Sequence, residues 1–240
     1  MKIIVLTTVY NCAPWLEKCI SSIKSQTYTN FECYLLNDMS TDNSAEIAIK
    51  ATKGDRRFNL INNTKKYYQA GNYDQIMRSE KVNNADIVVE VDGDDWLPDN
   101  DVFTRVVSYY KDPAVWMTYG QFIYQNGYLG LSAPVNFNEL RSARFTASHL
   151  RTWKPQLWNH IKVEDLLVNN DYAECSGDVF FMFPMLEMSG PEHAKFIPHI
   201  NYIYNFENPI GDSKGERLKK TEHFAKIGRE KLRYERLNNL

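Results

Sequence analysis

Three carboxylates stand within four positions at the end of an apolar run, in the segment IVVEVDGDDWLPDN at residues 87–100. Asp92, Asp94 and Asp95 are so close that their charges repel one another unless a cation or hydrogen bonds offset them. Oxygen donors of this kind suit Mg²⁺ or Mn²⁺, which proteins usually hold with one or two carboxylates and the oxygens of a bound phosphate. The spacing therefore predicts a cation site at the end of a buried strand.

The elements that position these carboxylates are predicted to alternate between strand and helix. Apolar runs separated by helical patterns indicate βαβ units and a largely parallel sheet. Ligands of such sheets lie beyond the carboxyl ends of the strands. The acidic segments NDMSTD at 37–42 and DGDD at 92–95 both follow predicted strands, so we expect them to face one cleft.

The composition is typical of a folded globular protein. The chain has 240 residues, of which 43% are hydrophobic and 24% charged, proportions that exclude disorder of the whole chain. No run approaches the roughly 18 apolar residues of a membrane span, and the N-terminal segment has a β pattern instead of a signal-peptide core. We expect a cytoplasmic protein whose four cysteines, which lack metal-binding spacing, are reduced and structural.

The end of the chain is basic. From Lys214 onward there are nine basic and four acidic residues. Two interpretations are open: a solvated helix packed on the domain, which the interspersed Glu residues favour, or a basic surface that touches an anionic membrane. We expect a basic C-terminal helix over 214–240 and no nucleic-acid partner.

Three segments in order resemble glycosyltransferase family 2. TTVYNCAPWLEKCISSIKSQTYTNFECYLLNDMSTDNS is similar to the opening of that family, in which a strand, YN, a helix with S-x-x-x-Q-T/S-Y, a second strand and DDGSTDNS follow one another. DGDD resembles its D-x-D-D motif. SGDVFFMFPMLEMSG followed by IPHINYIYN is similar to its late acidic motif, helix and final strand. The resemblance covers about residues 3–206.

The resemblance implies an α/β protein of the GT-A fold, with a central mostly parallel sheet flanked by helices and a C-terminal helical extension. It implies a single domain over 1–213, with a nucleotide-binding half at about 1–100 and an acceptor half at about 101–213. It further implies an inverting, metal-dependent glycosyltransferase. Such an enzyme moves a sugar from a nucleotide-diphosphate donor, with a UDP-sugar favoured, to a hydroxyl acceptor, with a glycan favoured.

The metal and donor sites can be carried over residue by residue. Asp94 is implied as the leading ligand of Mn²⁺ or Mg²⁺, with Asp95 as an alternative ligand and Asp92 near the donor ribose or a metal-bound water.

For the donor base, the resemblance implies Asp38 as a hydrogen-bond acceptor, with Thr7 and Tyr10 beside it. Asn72 is implied to contact the donor, although a helix cap is equally consistent with its position. The sequence departs from the family at Met39, where glycine is usual.

The catalytic base is implied to be Asp178, which follows a glycine where the family has glutamate. Inverting transfer needs a group that takes the proton of the acceptor hydroxyl. Glu164 and Asp165 also precede an apolar run and remain competing candidates. His149 and Arg151 are predicted to reach phosphate or acceptor, since arginine offers paired donors to an oxyanion.

Aromatic and histidine residues give weaker predictions. Trp96, Trp153 and Trp158 are candidates for a sugar-stacking platform, although core packing is favoured for any single one. His193 or His199 is a candidate late metal ligand, with a structural role favoured.

A second class of function is open at this stage, a calcium-dependent carbohydrate-binding protein or an inactive binder with the transferase fold. The DGDD segment does not fit an EF-hand, because Leu97 stands where that loop requires glycine.

Overall fold

In a computed structural model, residues 1–211 and 215–240 are described, and strands alternate with helices through the first half of the chain. The strands are β1 (Ile3–Val9), β2 (Phe31–Asn37), β3 (Phe58–Asn62), β4 (Ile87–Glu90), β5 (Met117–Tyr124), β6 (Thr152–Trp153), β7 (Leu167–Val168), β8 (Asp171–Tyr172) and β9 (Ala194–Tyr204). The helices are α1 (Ala13–Lys24), α2 (Ser44–Ala51), α3 (Tyr68–Met77), α4 (Val102–Tyr109), α5 (Pro155–Asn159), α6 (Gly177–His193) and α7 (Gly215–Glu230).

The main sheet of the described chain has seven strands in the order β3-β2-β1-β4-β6-β5-β9. Strand β1 pairs in parallel with β2 and β4, and β2 pairs in parallel with β3. The short strand β6 runs antiparallel to β4 and β5, while β5 and β9 are parallel. The predicted central, mostly parallel sheet flanked by helices is confirmed.

Both faces of the central strands are buried, which explains their nearly continuous apolar sequences. Along β1, Ile3 and Val5 face one hydrophobic cluster with helices α1 and α4, while Ile4 and Leu6 face another with α3, α5 and α6. Successive side chains of a strand point to opposite faces. The sheet therefore separates two helical layers.

Helix α6 is buried through most of its length and carries a candidate catalytic residue at its start. The helix continues through Pro184, and the backbone becomes non-helical at Gly190, where φ is 61°. The helix and the final strand that the resemblance implies for this segment are confirmed as α6 and β9.

The C-terminal segment packs against its own domain. The predicted helix over 214–240 is too long, because α7 ends at Glu230 and the remaining residues are not helical. The predicted boundary at 213/214 lies outside the described residues. Arg141 donates to both carboxylate oxygens of Glu187, at 2.6 and 2.7 Å, and to the carbonyls of Gly228 and Lys231 at 3.0 and 2.8 Å. These contacts agree with the first interpretation of the basic tail.

Within the described ranges, every helix is too short or too polar to cross a bilayer.

Candidate active site

A cleft of about 950 Å³ opens at the carboxyl ends of β1, β2 and β4. Asp38 and all three carboxylates of the DGDD segment line it. The prediction that the two acidic segments face one cleft is confirmed. The volume lies at the upper end of the roughly 300–1,000 Å³ usual for small-molecule sites.

The carboxylates of the DGDD segment differ in surroundings. Asp94 is partly exposed, and its Oδ2 accepts a hydrogen bond from Asn208 Nδ2 at 2.8 Å. Asp95 is 1% exposed, and its Oδ1 accepts from the backbone N–H of Asn205 at 2.7 Å. Asp94 is therefore better placed than Asp95 to meet a ligand in the cleft.

Excess negative charge is concentrated here. Burial raises the pKa of Asp92 well above its usual value, and the charges of Glu90 and Asp94 add to the effect. Burial likewise raises the pKa of Asp95, with further contributions from Asp94 and Asp92. A divalent cation would offset this charge, and the oxygen donors fit Mn²⁺ or Mg²⁺.

His149 is a further donor beside these carboxylates. One of its ring nitrogens and carboxylate oxygens of Glu90 and Asp92 lie within 4.8 Å of one another. Burial lowers the pKa of His149 well below its usual value, with a contribution from Arg151, so the ring is neutral, which is the form that binds metals. Its Nδ1 is buried and has no hydrogen-bond partner in the described part of the chain. The ring stacks on Tyr202 with centroids 4.4 Å apart.

A buried arginine connects β4 to α6. Arg151 Nη1 donates to Glu90 Oε1 at 2.9 Å, and Nη2 donates to Asp178 Oδ2 at 2.5 Å. Burial opposes the positive charge of Arg151, but Glu90 and Asp178 raise its pKa. Burial raises the pKa of Glu90 to about 7 against the opposing effect of Arg151. Arg151 also lines the cleft, so its contact with phosphate or acceptor stays a prediction, made by a guanidinium that is already paired with two carboxylates.

The candidates for the catalytic base are separated by position. Asp178 lines the cleft from the first turn of α6, with its side chain 21% exposed. Glu164 and Asp165 lie in a 3-10 helix outside the cleft lining, and Asp165 Oδ2 accepts from Tyr234 OH at 2.6 Å. Asp178 alone of these three reaches the cleft.

Asp38 and Asn72 hold a loop together. Asp38 Oδ1 accepts from Asn63 Nδ2 and Tyr67 N at 3.0 and 2.8 Å, and Oδ2 accepts from Tyr68 N at 3.0 Å. Asn72 is fully buried; it accepts from Asn63 Nδ2 and donates to Tyr68 O. The donor-contact role predicted for Asn72 is wrong, and the Asp38 carboxylate caps the start of α3.

The end of β1 presents different residues from those predicted. Thr7 points away from the cleft, is fully buried and contacts Cys33 Sγ at 3.8 Å, whereas Thr8 lines the cleft because neighbouring side chains alternate. The prediction for Thr7 is wrong. Tyr10 lines the cleft, and Lys66 Nζ lies 2.9 Å from the centroid of its ring.

The three tryptophans predicted to stack on a sugar lie outside the described cleft lining. Trp153 and Trp158 are fully buried in the core, with stacked rings 6.0 Å apart. Trp96 is 7% exposed and lies beneath Lys18 Nζ, 3.4 Å from its ring centroid. The predicted sugar-stacking platform is wrong, because within the described chain the cleft is lined by other aromatic residues.

The two histidines of the late segment have structural positions. His193 stacks on Trp116 with centroids 3.6 Å apart, and its Nδ1 lies 2.7 Å from the Ala114 carbonyl oxygen. His199 is exposed on β9. Both lie outside the described cleft lining, so the favoured structural role is confirmed for His193.

Three residues in or directly beneath the cleft were missed by the sequence analysis: Glu90, which is buried beside Asp92 and His149, and the lining residues Lys66 and Arg217. Glu90 had a signal, since a lone charge in a buried strand is rarely there without a partner. Lys66 had only a weak signal in the sequence, namely that it is one of two adjacent lysines. Arg217 had none, because α7 reaches the cleft from the far end of the chain.

The family is established by direct comparison. The model of glycosyl transferase family 2 matches residues 4–180. This chain therefore belongs to glycosyltransferase family 2.

Curated relatives are longer proteins. Glycosyltransferase GlyA of Streptococcus pneumoniae is 37% identical over 119 residues, which cover 48% of this chain and 16% of the relative. Chondroitin synthase of Escherichia coli is 22% identical over 246 residues, which cover 96% of this chain and 34% of the relative. The chain thus spans about a third or less of the length of these relatives.

Solved structures share the fold. TarS of S. aureus in complex with UDP has a TM-score of 0.66 at 15% identity, with 95% of this chain and 65% of that chain covered. Mannosyltransferase PcManGT of Pyrobaculum calidifontis, in complex with GDP-Man and Mn²⁺, has a TM-score of 0.67 at 17% identity, with 97% and 66% covered. The chain has the GT-A fold.

Proposed function

We propose that this chain is an inverting, metal-dependent glycosyltransferase that moves a sugar from a nucleotide-diphosphate donor to a hydroxyl group of a glycan. One observation supports this most directly: the Asp178 carboxylate shares a cleft with the carboxylates of Asp92 and Asp94. A group able to take a proton and a group able to hold a cation thus face the same space.

Asp94 and Asp92 would hold Mn²⁺ or Mg²⁺, with the neutral His149 ring as an additional donor. When bound, the cation would offset the charge that develops on the leaving diphosphate. We infer that the cation lies toward Asp94, because Asp94 lines the cleft whereas Glu90 lies outside its lining, with Oε1 accepting hydrogen bonds from Arg151 and Gln69 at 2.9 and 2.8 Å. The complexes of the structural neighbours with UDP and with GDP-Man and Mn²⁺ support a nucleotide donor. A UDP-sugar is our first choice.

Asp178 would act as general base. The acceptor oxygen forms a bond to the anomeric carbon, the bond from that carbon to the diphosphate oxygen breaks, and the hydroxyl proton passes to the Asp178 carboxylate. Arg151 orients this carboxylate through the 2.5 Å contact to Oδ2. Direct attack from the opposite side of the leaving group inverts the anomeric centre.

The test is thermal stabilisation by UDP, GDP, CMP and dTDP, each with and without Mn²⁺, because a ligand that binds only the folded state raises its stability. We expect a Mn²⁺-dependent shift with one nucleotide. Asp94→Asn should abolish the shift, while Asp112→Asn, which changes an exposed carboxylate outside the cleft lining, should keep it.

Two results would contradict the proposal. A full nucleotide shift in the Asp94 variant would remove the metal assignment. Stabilisation by Ca²⁺ alone, with no response to any nucleotide, would favour a calcium-dependent carbohydrate-binding protein.

A further inference from the structure

Four aromatic side chains form one edge of the cleft, here called the aromatic rim: Tyr124, Tyr128, Tyr204 and Phe206. Tyr124 and Tyr204 end the paired strands β5 and β9, and their rings meet edge to face at 5.8 Å. Phe206 meets Tyr124 in the same way at 5.7 Å. These contacts give the rim a defined shape.

Exposure distinguishes the aromatic rim from core packing. Tyr128 is 73% exposed and Phe206 is 37% exposed, although both line the cleft. Large exposed aromatic side chains grouped at a cavity mark a binding surface. Tyrosine suits such surfaces because its ring is apolar while its hydroxyl remains able to form hydrogen bonds.

The turn that carries Tyr128 is held by its backbone. Tyr124 N donates to Tyr128 O, and Gly127 N donates to Tyr124 O, both at 2.8 Å. Gly127 has φ of +88°, a conformation that favours glycine. Gly130 packs so closely on Phe122 that a Cβ would lie 2.5 Å from its ring. Tyr128 is therefore presented to solvent on an ordered turn.

The aromatic rim lies on the side of β4 opposite to β1 and β2. In the sheet order, β1 and β2 lie on one side of β4, whereas β5 and β9 lie at the opposite edge. The DGDD carboxylates follow β4, between the two. A nucleotide bound at the carboxyl ends of β1 and β2, where Tyr10 and Asp38 line the cleft, would leave the aromatic rim for the other substrate.

We infer that the aromatic rim is the acceptor subsite and that it takes a saccharide, whose apolar ring face stacks on Tyr128. This inference rests on the proposed function. Asn126 and Asn208 also line the cleft. A sugar offers C–H groups to the rings and hydroxyls to the amides, whereas a purely apolar chain would bury tyrosine hydroxyls and amides without compensation, which is costly.

A lipid chain is the main alternative occupant, because Leu129 and Leu131 are 60% and 57% exposed on the same turn. These two leucines lie outside the described cleft lining. They therefore provide a control, because they lie on the same turn as Tyr128 but are aliphatic instead of aromatic.

The experiment compares wild type with Tyr128→Phe, Tyr128→Leu and Tyr128→Ala on an array of oligosaccharides, in the presence of Mn²⁺ and the stabilising nucleotide. We expect wild type and Tyr128→Phe to retain the same saccharides. Tyr128→Leu and Tyr128→Ala should bind them about tenfold more weakly, the size of one lost ring contact. Leu131→Ala should bind like wild type.

Several outcomes would overturn the inference. These are retention of no saccharide by wild type, equal binding by Tyr128→Leu and wild type, or binding of polyprenyl-phosphate vesicles that Leu131→Ala loses. The nucleotide shift is measured on every variant and should not change. Its absence in wild type would count against the proposed function, whereas its presence with unaltered saccharide binding in Tyr128→Ala would count against the subsite alone.

Discussion

The two ends of the cleft are built in different ways. At the end of β1 and β2, buried polar groups saturate one another, as in the contacts of Asp38 with Asn63 and two backbone N–H groups. At the end of β5 and β9, aromatic side chains such as Tyr128 remain exposed. Motif residues at the first end mainly build the loops, whereas residues without a motif form the surface at the second. A recognisable motif thus identifies the scaffold of a site better than its contact surface.

The largest effect is expected at Asp178, which lines the cleft from the first turn of α6 and belongs to neither of the two ends. Asp178→Asn keeps the size of the side chain and a hydrogen-bond acceptor for Arg151 but removes the basic oxygen. We expect transfer to fall by about 10²–10⁴-fold, with nucleotide stabilisation retained. Initial rates of nucleotide release with acceptor present would measure the loss.

The matched control is Glu164→Gln, because Glu164 is exposed and lies outside the cleft lining. Its rate should equal that of wild type. Unchanged turnover in the Asp178 variant, or a large loss in the Glu164 variant, would reassign the base.

The second prediction concerns contacts that differ in how far they reach along the chain. Asp38 binds groups within about 30 positions along the chain, whereas Arg141 holds α6 to the C-terminal segment through Gly228, 87 positions away. Arg141→Ala leaves Glu187, whose side chain is 9% exposed, without its ion-pair partner. We expect a loss of about 3–5 kcal/mol in the free energy of unfolding, measured by urea denaturation.

Proteolysis sharpens this prediction. In Arg141→Ala, cleavage after residue 230 should become faster, because the guanidinium no longer binds the carbonyls of Lys231 and Leu232. Lys195→Ala, which breaks an exposed ion pair with Asp112, is the control and should behave like wild type. Equal stability of both variants would mean that the C-terminal segment contributes little to the position of α6.

A smaller effect is expected at Asp38. Asp38→Ala leaves the N–H groups of Tyr67 and Tyr68 without their acceptor, and an unsatisfied buried donor costs about 1–3 kcal/mol. Thermal and urea unfolding should show this loss of stability both with and without nucleotide. Wild-type stability together with a changed preference among UDP, GDP and dTDP would instead support a role of Asp38 in base recognition.

The sequence carried more information about the sheet than about the site. The buried strands β1, β2 and β4 have continuous apolar sequences, and their carboxyl ends could be located from the motifs. The orientation of Thr7 depends on which face of β1 meets the cleft, which required knowledge of the helices on each side. The partner of Arg151 could not be foreseen either, since Glu90 lies 61 positions away. Local patterns do not encode such long-range pairing.

The aromatic rim was the least predictable part. All four residues Trp153, Trp158, Tyr124 and Tyr128 are aromatic, and residue type alone allows each to stack on a sugar. The two tryptophans nevertheless lie in the core. What separates them is position: Trp153 lies on β6, an interior strand of the sheet, and Trp158 lies on α5 against Phe181 of α6, whereas Tyr124 ends β5 and Tyr128 lies on the turn after it, and both line the cleft.

The smallest effect is expected from Thr7→Val, at the nucleotide end. Thr7 Oγ1 has only a weak contact with Cys33 Sγ at 3.8 Å, and its side chain is fully buried. Replacing a poorly paired buried hydroxyl by a methyl group should leave stability unchanged or raise it by up to about 1 kcal/mol. The nucleotide shift should stay at the wild-type value, because the side chain faces away from the cleft. A lost shift in Thr7→Val, with the fold intact, would mean that β1 presents its other face to the donor, and the division of the cleft into a nucleotide end and an aromatic end would then have to be redrawn.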